Sequence, residues 1–240
     1  MTGVFQYYDA TVRGTKREDS LVILQFMKEM IGQGFSFLNY YKEIPVSYNA
    51  TLLSVENEMA EFDVHDYQAK IIAMDKSTLI YSHPLSDNSD DMIGEAFYVN
   101  TARKRVILCN FGYVRIRSDM RQFVRVHLDN PVDADLIFAG DLLEGAVQDI
   151  SLGGAAISTM SADLLVPGLD IHLLVKLPDP VGNSRREVGL RATIINVIGS
   201  CAPYTCFLEF HPEKHSQQHI GYYINHRQVE IIKELKDING

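Results

Sequence analysis

No tryptophan occurs among the 240 residues, and cysteine occurs only three times, at Cys109, Cys201 and Cys206. An odd number of cysteines argues against a disulfide framework and for reduced thiols buried as small hydrophobes in strands. Cys201 and Cys206 stand five apart without a second pair to complete a tetrahedral site, so no metal is expected there. No stretch approaches 18 apolar residues, which excludes a membrane-inserted helix. Met1 to Ser20 lacks an apolar run and carries Arg13, Lys16, Arg17, Glu18 and Asp19. That is not a secretory signal, and a cytoplasmic location is expected. Positive charge is also short, with 22 Lys+Arg against 31 Asp+Glu and a net charge of −9. A DNA or RNA binder relies on surplus cations to release counterions, so neither partner is expected. An acidic chain gains nothing from an anionic membrane surface either.

What is present is ordinary for a folded chain: 46% hydrophobic and 22% charged residues, enough for one or two cores. The first 16 or so residues read as irregular. Glu18-Asp19-Ser20 then precede Leu24, Met27 and Ile31, whose spacing predicts a helix that Gly32 and Gly34 stop. Short β-like segments follow at Val46–Val55, Glu61–His65, Ala69–Met74, Thr78–Tyr81, Ala96–Asn100 and Val106–Cys109. Thr101 to Lys104 reads as a hairpin tip and Pro84 to Asp91 as a polar loop. A second β-rich block begins near Val114. Its segments are Phe123–Leu128, Ala134–Ile137, Leu143–Asp149, Ala155–Ser158, Asp170–Leu177, Arg186–Val197 and Thr205–Phe210. Turn residues separate them, Asn130-Pro131 among them, and many short strands with regular turns predict a barrel or sandwich. A closing helix is expected over Glu213–Leu235, with Ile220, Ile224, Ile231 and Leu235 on one face. The expected domains are 1–115 and 116–240. Neither half is basic, at −4 and −5.

Charge is nevertheless uneven. Arg115, Arg117, Arg121 and Arg125 fall within eleven residues that hold one acid, Asp119. Such a cluster in an acidic chain suits a small, densely charged anion. Arg121 and Arg125 make an R-x-x-x-R spacing. About 25 residues on comes Asp149-Ile-Ser151-Leu-Gly153-Gly154. Together these types complement a guanine nucleotide. A guanidinium pairs with guanine O6 and N7 or with phosphate, and its plane stacks on a base. A carboxylate accepts from the guanine N1 and N2 donors. Ser151 offers a hydroxyl, and Gly153 and Gly154 let a flat ligand approach the backbone.

The two motifs, in this order and at this separation, resemble the PilZ domain, the bacterial receptor module for cyclic di-GMP. The match runs through Arg121, Arg125, Asp149, Ser151 and Gly154, and covers roughly Val114 to Gly240. The β-rich half ahead of it resembles the layout of YcgR-type flagellar brake proteins. The resemblance implies a mainly β chain: an N-terminal split-barrel-like domain and a C-terminal six-stranded PilZ barrel, with a helix at each end. It implies that the R-x-x-x-R segment wraps over the ligand, that the D-x-S-x-x-G segment holds a guanine, and that binding fixes the domain orientation. Arg117 and Met120 are possible further contacts. Where many relatives carry an Arg directly before R-x-x-x-R, this chain has Met120, which implies one cyclic di-GMP per chain rather than a stacked pair. The implied partner is a protein such as a flagellar motor component, and the regulated process motility or a related surface behaviour.

Other constellations read as bland. His211, His215, His219 and His226 complete no H-E-x-x-H pattern, and no metal is expected on them. Ser158, Ser161 and Ser200 lack nucleophile-elbow surroundings, and no P-loop or G-x-G-x-x-G occurs, so no catalytic residue, enzyme activity or cofactor is expected. Two alternatives remain: a PilZ-like adaptor that binds no nucleotide, and a flavin-binding split barrel.

Overall fold

The computed structural model describes residues 7–81, 91–117, 122–179, 184–211 and 213–238. Two compact units form. One holds residues 1–41, 45–121 and 234–240; the other holds 42–44 and 122–233.

The first unit is built on seven strands: β1 (Tyr8–Thr11), β2 (Gly34–Tyr41), β3 (Ile44–Glu56), β4 (Met59–Asp63), β5 (Ser77–Ile80), β6 (Asp91–Asn100) and β7 (Arg105–Ile116). Their order is β1-β7-β4-β3-β2-β5-β6, and β6 also pairs with β7. Six strands therefore close into a ring, which leaves no long open edge, and β1 lies against β7 from outside. Phe35, Phe37 and Phe62 fill the ring, with Phe37 and Phe62 edge to face at 4.9 Å. Helix α1 (Lys16–Glu29) adds Ile23, Leu24 and Met27 to that core. It starts at a capping box: Thr15 Oγ1 accepts from the Glu18 amide, and the Glu18 carboxylate accepts from the Thr15 amide.

Three expectations here are corrected. Residues 8–11 are a strand rather than irregular, because β7 is long enough to pair with them from Tyr113 to Ile116. Ile31 lies beyond the helix, half exposed, since α1 ends at its Met30 cap before the left-handed Gly32. Ala69–Met74 is helical, within α2 (Asp66–Asp75). Its apolar run is too short to separate the two periods. What decides is the N-cap: the His65 ring accepts from the Tyr67 amide, and Gln68, Ala69, Ile71 and Ile72 turn inward. The Thr101–Lys104 turn is present between β6 and β7. The polar loop expected over Pro84–Asp91 falls mostly outside the described residues, and Asp91 opens β6.

The second unit is a closed antiparallel barrel of β8 (Val126–Phe138), β9 (Asp141–Ile150), β10 (Gly154–Thr159), β11 (Asp170–Pro178), β12 (Arg185–Ile198) and β13 (Tyr204–His211). Its order is β10-β13-β12-β11-β8-β9. Alternation builds the core: Ile171, Leu173, Val175 and Leu177 from β11 face Val188, Leu190, Ala192 and Ile194 from β12. Asn130-Pro131 does not end a strand as expected. β8 runs through it, and its pairing with β9 slips between His127 and Val132. Proline, which has no amide to donate, is tolerated at such an irregularity. Helix α3 (Lys214–Asp237) closes the chain with Ile220, Ile224, Ile231 and Leu235 buried. The Ser216 hydroxyl ties it to the barrel by donating to the Gly189 carbonyl at 2.8 Å. Cys109 and Cys206 lie in strands and burial raises both thiol pKa values, Cys206 to about 11; Cys201 is exposed outside the strands. Among the described residues no helix is long and apolar enough to cross a membrane.

Candidate ligand site

Asp149 is the last residue but one of β9. It stands opposite His127 of β8 on one side and Ala156 of β10 on the other. Both pairings slip immediately beyond it, between His127 and Val132 and between Ala156 and Ile157. Such irregularities re-aim side chains at the rim of a barrel. The Asp149 side chain is 1% exposed, and its Oδ1 lies 3.4 Å from Arg125 Nε. That is ion-pair range without hydrogen-bond alignment: among the described residues Asp149 Oδ1 accepts no hydrogen bond. Burial pushes its carboxyl up to about 6. The Arg125 charge pulls it down, Glu43 raises it, and the Ala156 amide and His127 lower it. The outcome is a buried acceptor whose hydrogen bonding is incomplete, beside a guanidinium that is 24% exposed. Such a group costs free energy until a donor reaches it.

The loop after Asp149 folds on itself. The Ser151 amide donates to the Gly154 carbonyl at 2.8 Å. The Ser151 hydroxyl donates to the same carbonyl at 3.2 Å and accepts from the Gly153 amide at 3.3 Å. The Gly153 carbonyl accepts from the Phe210 amide at 2.9 Å, which ties the loop to β13. Ser151 therefore shapes the loop. A Cβ on Gly154 would lie 2.2 Å from the Leu208 carbonyl oxygen, so glycine there lets β10 and β13 pair. A Cβ on Gly153 would lie 2.8 Å from Phe123 Cδ2.

Of the residues expected at the site, Arg125 and Asp149 meet directly, and Ser151, Gly153 and Gly154 form the adjoining loop. Arg121 and Met120 fall outside the described residues. Arg117 belongs to the first unit and is held by Asp9: its Nε donates at 2.6 Å, and its Nη2 makes a second contact to the same carboxylate. That pairing lowers the Asp9 pKa. Sequence reading missed Phe123 and His127. Phe123 carried a signal, an aromatic between the two arginines; His127 carried none, because only strand register sets it opposite Asp149. The histidines of α3 are partnered: His215 and His219 approach to 3.1 Å, and Arg186 lies 2.9 Å from His219. Among the described residues no three His, Cys, Asp or Glu side chains gather as metal ligands.

Residues 119–226 match the family model described as the PilZ domain. The match takes in all six strands of the second unit's barrel. Solved structures with similarity to the chain include the Bacillus subtilis inhibitor of motility MotI/DgrA, at 15% identity and TM-score 0.43, over 83% of this chain and 97% of that one. YcgR from Escherichia coli, in complex with c-di-GMP, is 12% identical at TM-score 0.44, with both chains fully covered. The K. pneumonia MrkH–c-di-GMP complex is 15% identical at TM-score 0.47, over 94% of this chain and 100% of that one. No curated protein matches significantly.

Proposed function

We propose that the second unit is a receptor for cyclic di-GMP. One observation carries the reading. Arg125 and Asp149, from the R-x-x-x-R and D-x-S-x-x-G spacings, lie within the residues that match the PilZ model, and the fold brings them together with the Asp149 carboxylate buried and its Oδ1 without a hydrogen bond among the described residues. Guanine N1–H and N2–H supply such donors, and Arg125 and Arg121 supply cations for the base and the phosphates. This is binding chemistry and performs no reaction. The ligand is a dianion that does not cross a bilayer unaided, which supports a cytoplasmic site of action. With Met120 in place of a further arginine, one ligand binds per chain. Residues 1–115 and 116–240 act as the functional domains, and ligand at their linker biases their arrangement and so the contacts made with a protein partner, a flagellar motor component being the natural case. Neither the family match nor the structural likenesses support the flavin alternative.

Calorimetric titration with cyclic di-GMP, with GTP and cyclic di-AMP as controls, tests this. Saturable binding of cyclic di-GMP alone, at one per chain, is expected. Arg125→Ala should weaken it by about 1.5–3 kcal/mol, the range for a charged hydrogen bond. No binding by the unaltered chain would leave the adaptor reading in its place.

A further inference from the structure

We infer that Phe123 and Gly153 form a matched docking contact that holds residues 123–125 on the barrel and so positions Arg125 at Asp149. The inference rests on the proposed receptor function and adds two residues that act through Arg125.

Gly153 has no backbone reason to be glycine. Its φ is not among the chain's positive values, unlike Gly140 and Gly168. It is also not the glycine that allows β10 to meet β13, a role that falls to Gly154. What the missing Cβ permits is the Phe123 ring, whose Cδ2 and Cε2 would lie 2.8 and 3.2 Å from it. No other atom comes so close to that position. Phe123 stands two residues before Arg125 and is 40% exposed, so the ring edge at Gly153 is its contact while part of the residue stays open to solvent. The contact therefore acts as an anchor on the approach to Arg125, while the Gly153 carbonyl is itself fixed to β13. An arginine delivered by an anchored segment loses less freedom when it grips a ligand than one on a loose linker.

Two arms test this. In the first, cyclic di-GMP is titrated into Phe123→Ala, Gly153→Ala and the double variant. Each single change should weaken binding by about 5- to 10-fold, the cost of ordering one released segment afresh. The double variant should be no weaker than either single one. Losses that multiply in the double variant, or a single variant that binds as tightly as the parent or tighter, would overturn the inference. The second arm needs no ligand. Carbon-13 NMR titration of the Asp149 carboxyl should show its pKa rising in both single variants, because Arg125 has moved away. An unchanged titration would also overturn it. Phe123→Trp places a single fluorophore in a chain that otherwise has none. Its emission should shift to the red when Gly153→Ala is added; identical spectra would mean the ring never docks. If the parent chain fails to bind cyclic di-GMP, the receptor function falls, while the carboxyl titration and the fluorescence still decide the docking.

Discussion

Asp149 is held in conflict with its surroundings. A carboxyl whose pKa is raised on folding, from 3.8 to about 6, binds more protons in the native than in the unfolded chain. Its contribution to stability is therefore greatest at low pH and is lost as pH rises through about 6, by roughly 3 kcal/mol at most. Asp149→Asn removes that cost. In the absence of ligand its melting temperature should exceed the parent's at pH 8, and the gap should narrow to about half at pH 5 and close only below about pH 3.8. Equal melting temperatures at pH 8 would mean the carboxylate is already compensated. In the proposed complex the ligand reads the same group in the opposite sense, because only the ionised form accepts from both guanine donors. Affinity for cyclic di-GMP should be level above pH 7 and fall by up to about 10-fold per unit below 6. Asp149→Asn, which keeps one acceptor and does not titrate, should flatten that profile. Asp149 and Arg125 were legible as chemistry from their spacing in the chain. Their contact and the carboxyl's missing partner were not, since both depend on two strand slips that no local pattern announces.

At the scale of elements, the two adjacent glycines separate cleanly. Gly154→Ala drives a Cβ into the Leu208 carbonyl at 2.2 Å, and backbone cannot rotate aside as a side chain can. It should destabilise the barrel by about 2 kcal/mol or more in urea unfolding. Gly153→Ala meets only the edge of an aromatic ring on a surface segment and should cost under about 0.5 kcal/mol. Equal losses would show that both glycines serve strand pairing. In the first unit, Thr15→Ala breaks the capping box of α1 and should cost about 1 kcal/mol. Helices α1 and α3 were readable because their apolar spacing is sustained, and β11 and β12 because theirs alternates strictly. Helix α2 was not. Ala69, Ile71 and Ile72 fit either period over so few residues, and a histidine cap is a weak local signal.

At the scale of the whole molecule, each unit has its own closed set of strands and its own core. Ligand bound to one should stabilise that one. Calorimetric scans with cyclic di-GMP at 100 times its Kd should raise the barrel's transition by about 2.7 kcal/mol and leave that of the first unit in place. A uniform shift of both would show that the two unfold as one. If ligand biases the domain arrangement, small-angle scattering should change on addition of cyclic di-GMP to the parent chain and remain constant for Arg125→Ala.

The sequence alone determined which chemistry the chain carries. Arginines at one spacing and an Asp-Ser-Gly run at another are properties of order along the backbone, and so are the alternation of β11 and β12 and the apolar face of α3. What only the tertiary structure decided was which atoms those residues meet. The cover over Asp149, the strand slips beside it, the Leu208 carbonyl behind Gly154 and the Phe123 ring on Gly153 all join residues distant in the chain. Burial and close approach are set by the packing of whole strands, a non-local quantity that short-range patterns do not encode. The absence of tryptophan, which by itself said nothing about function, leaves position 123 free to report on that packing directly.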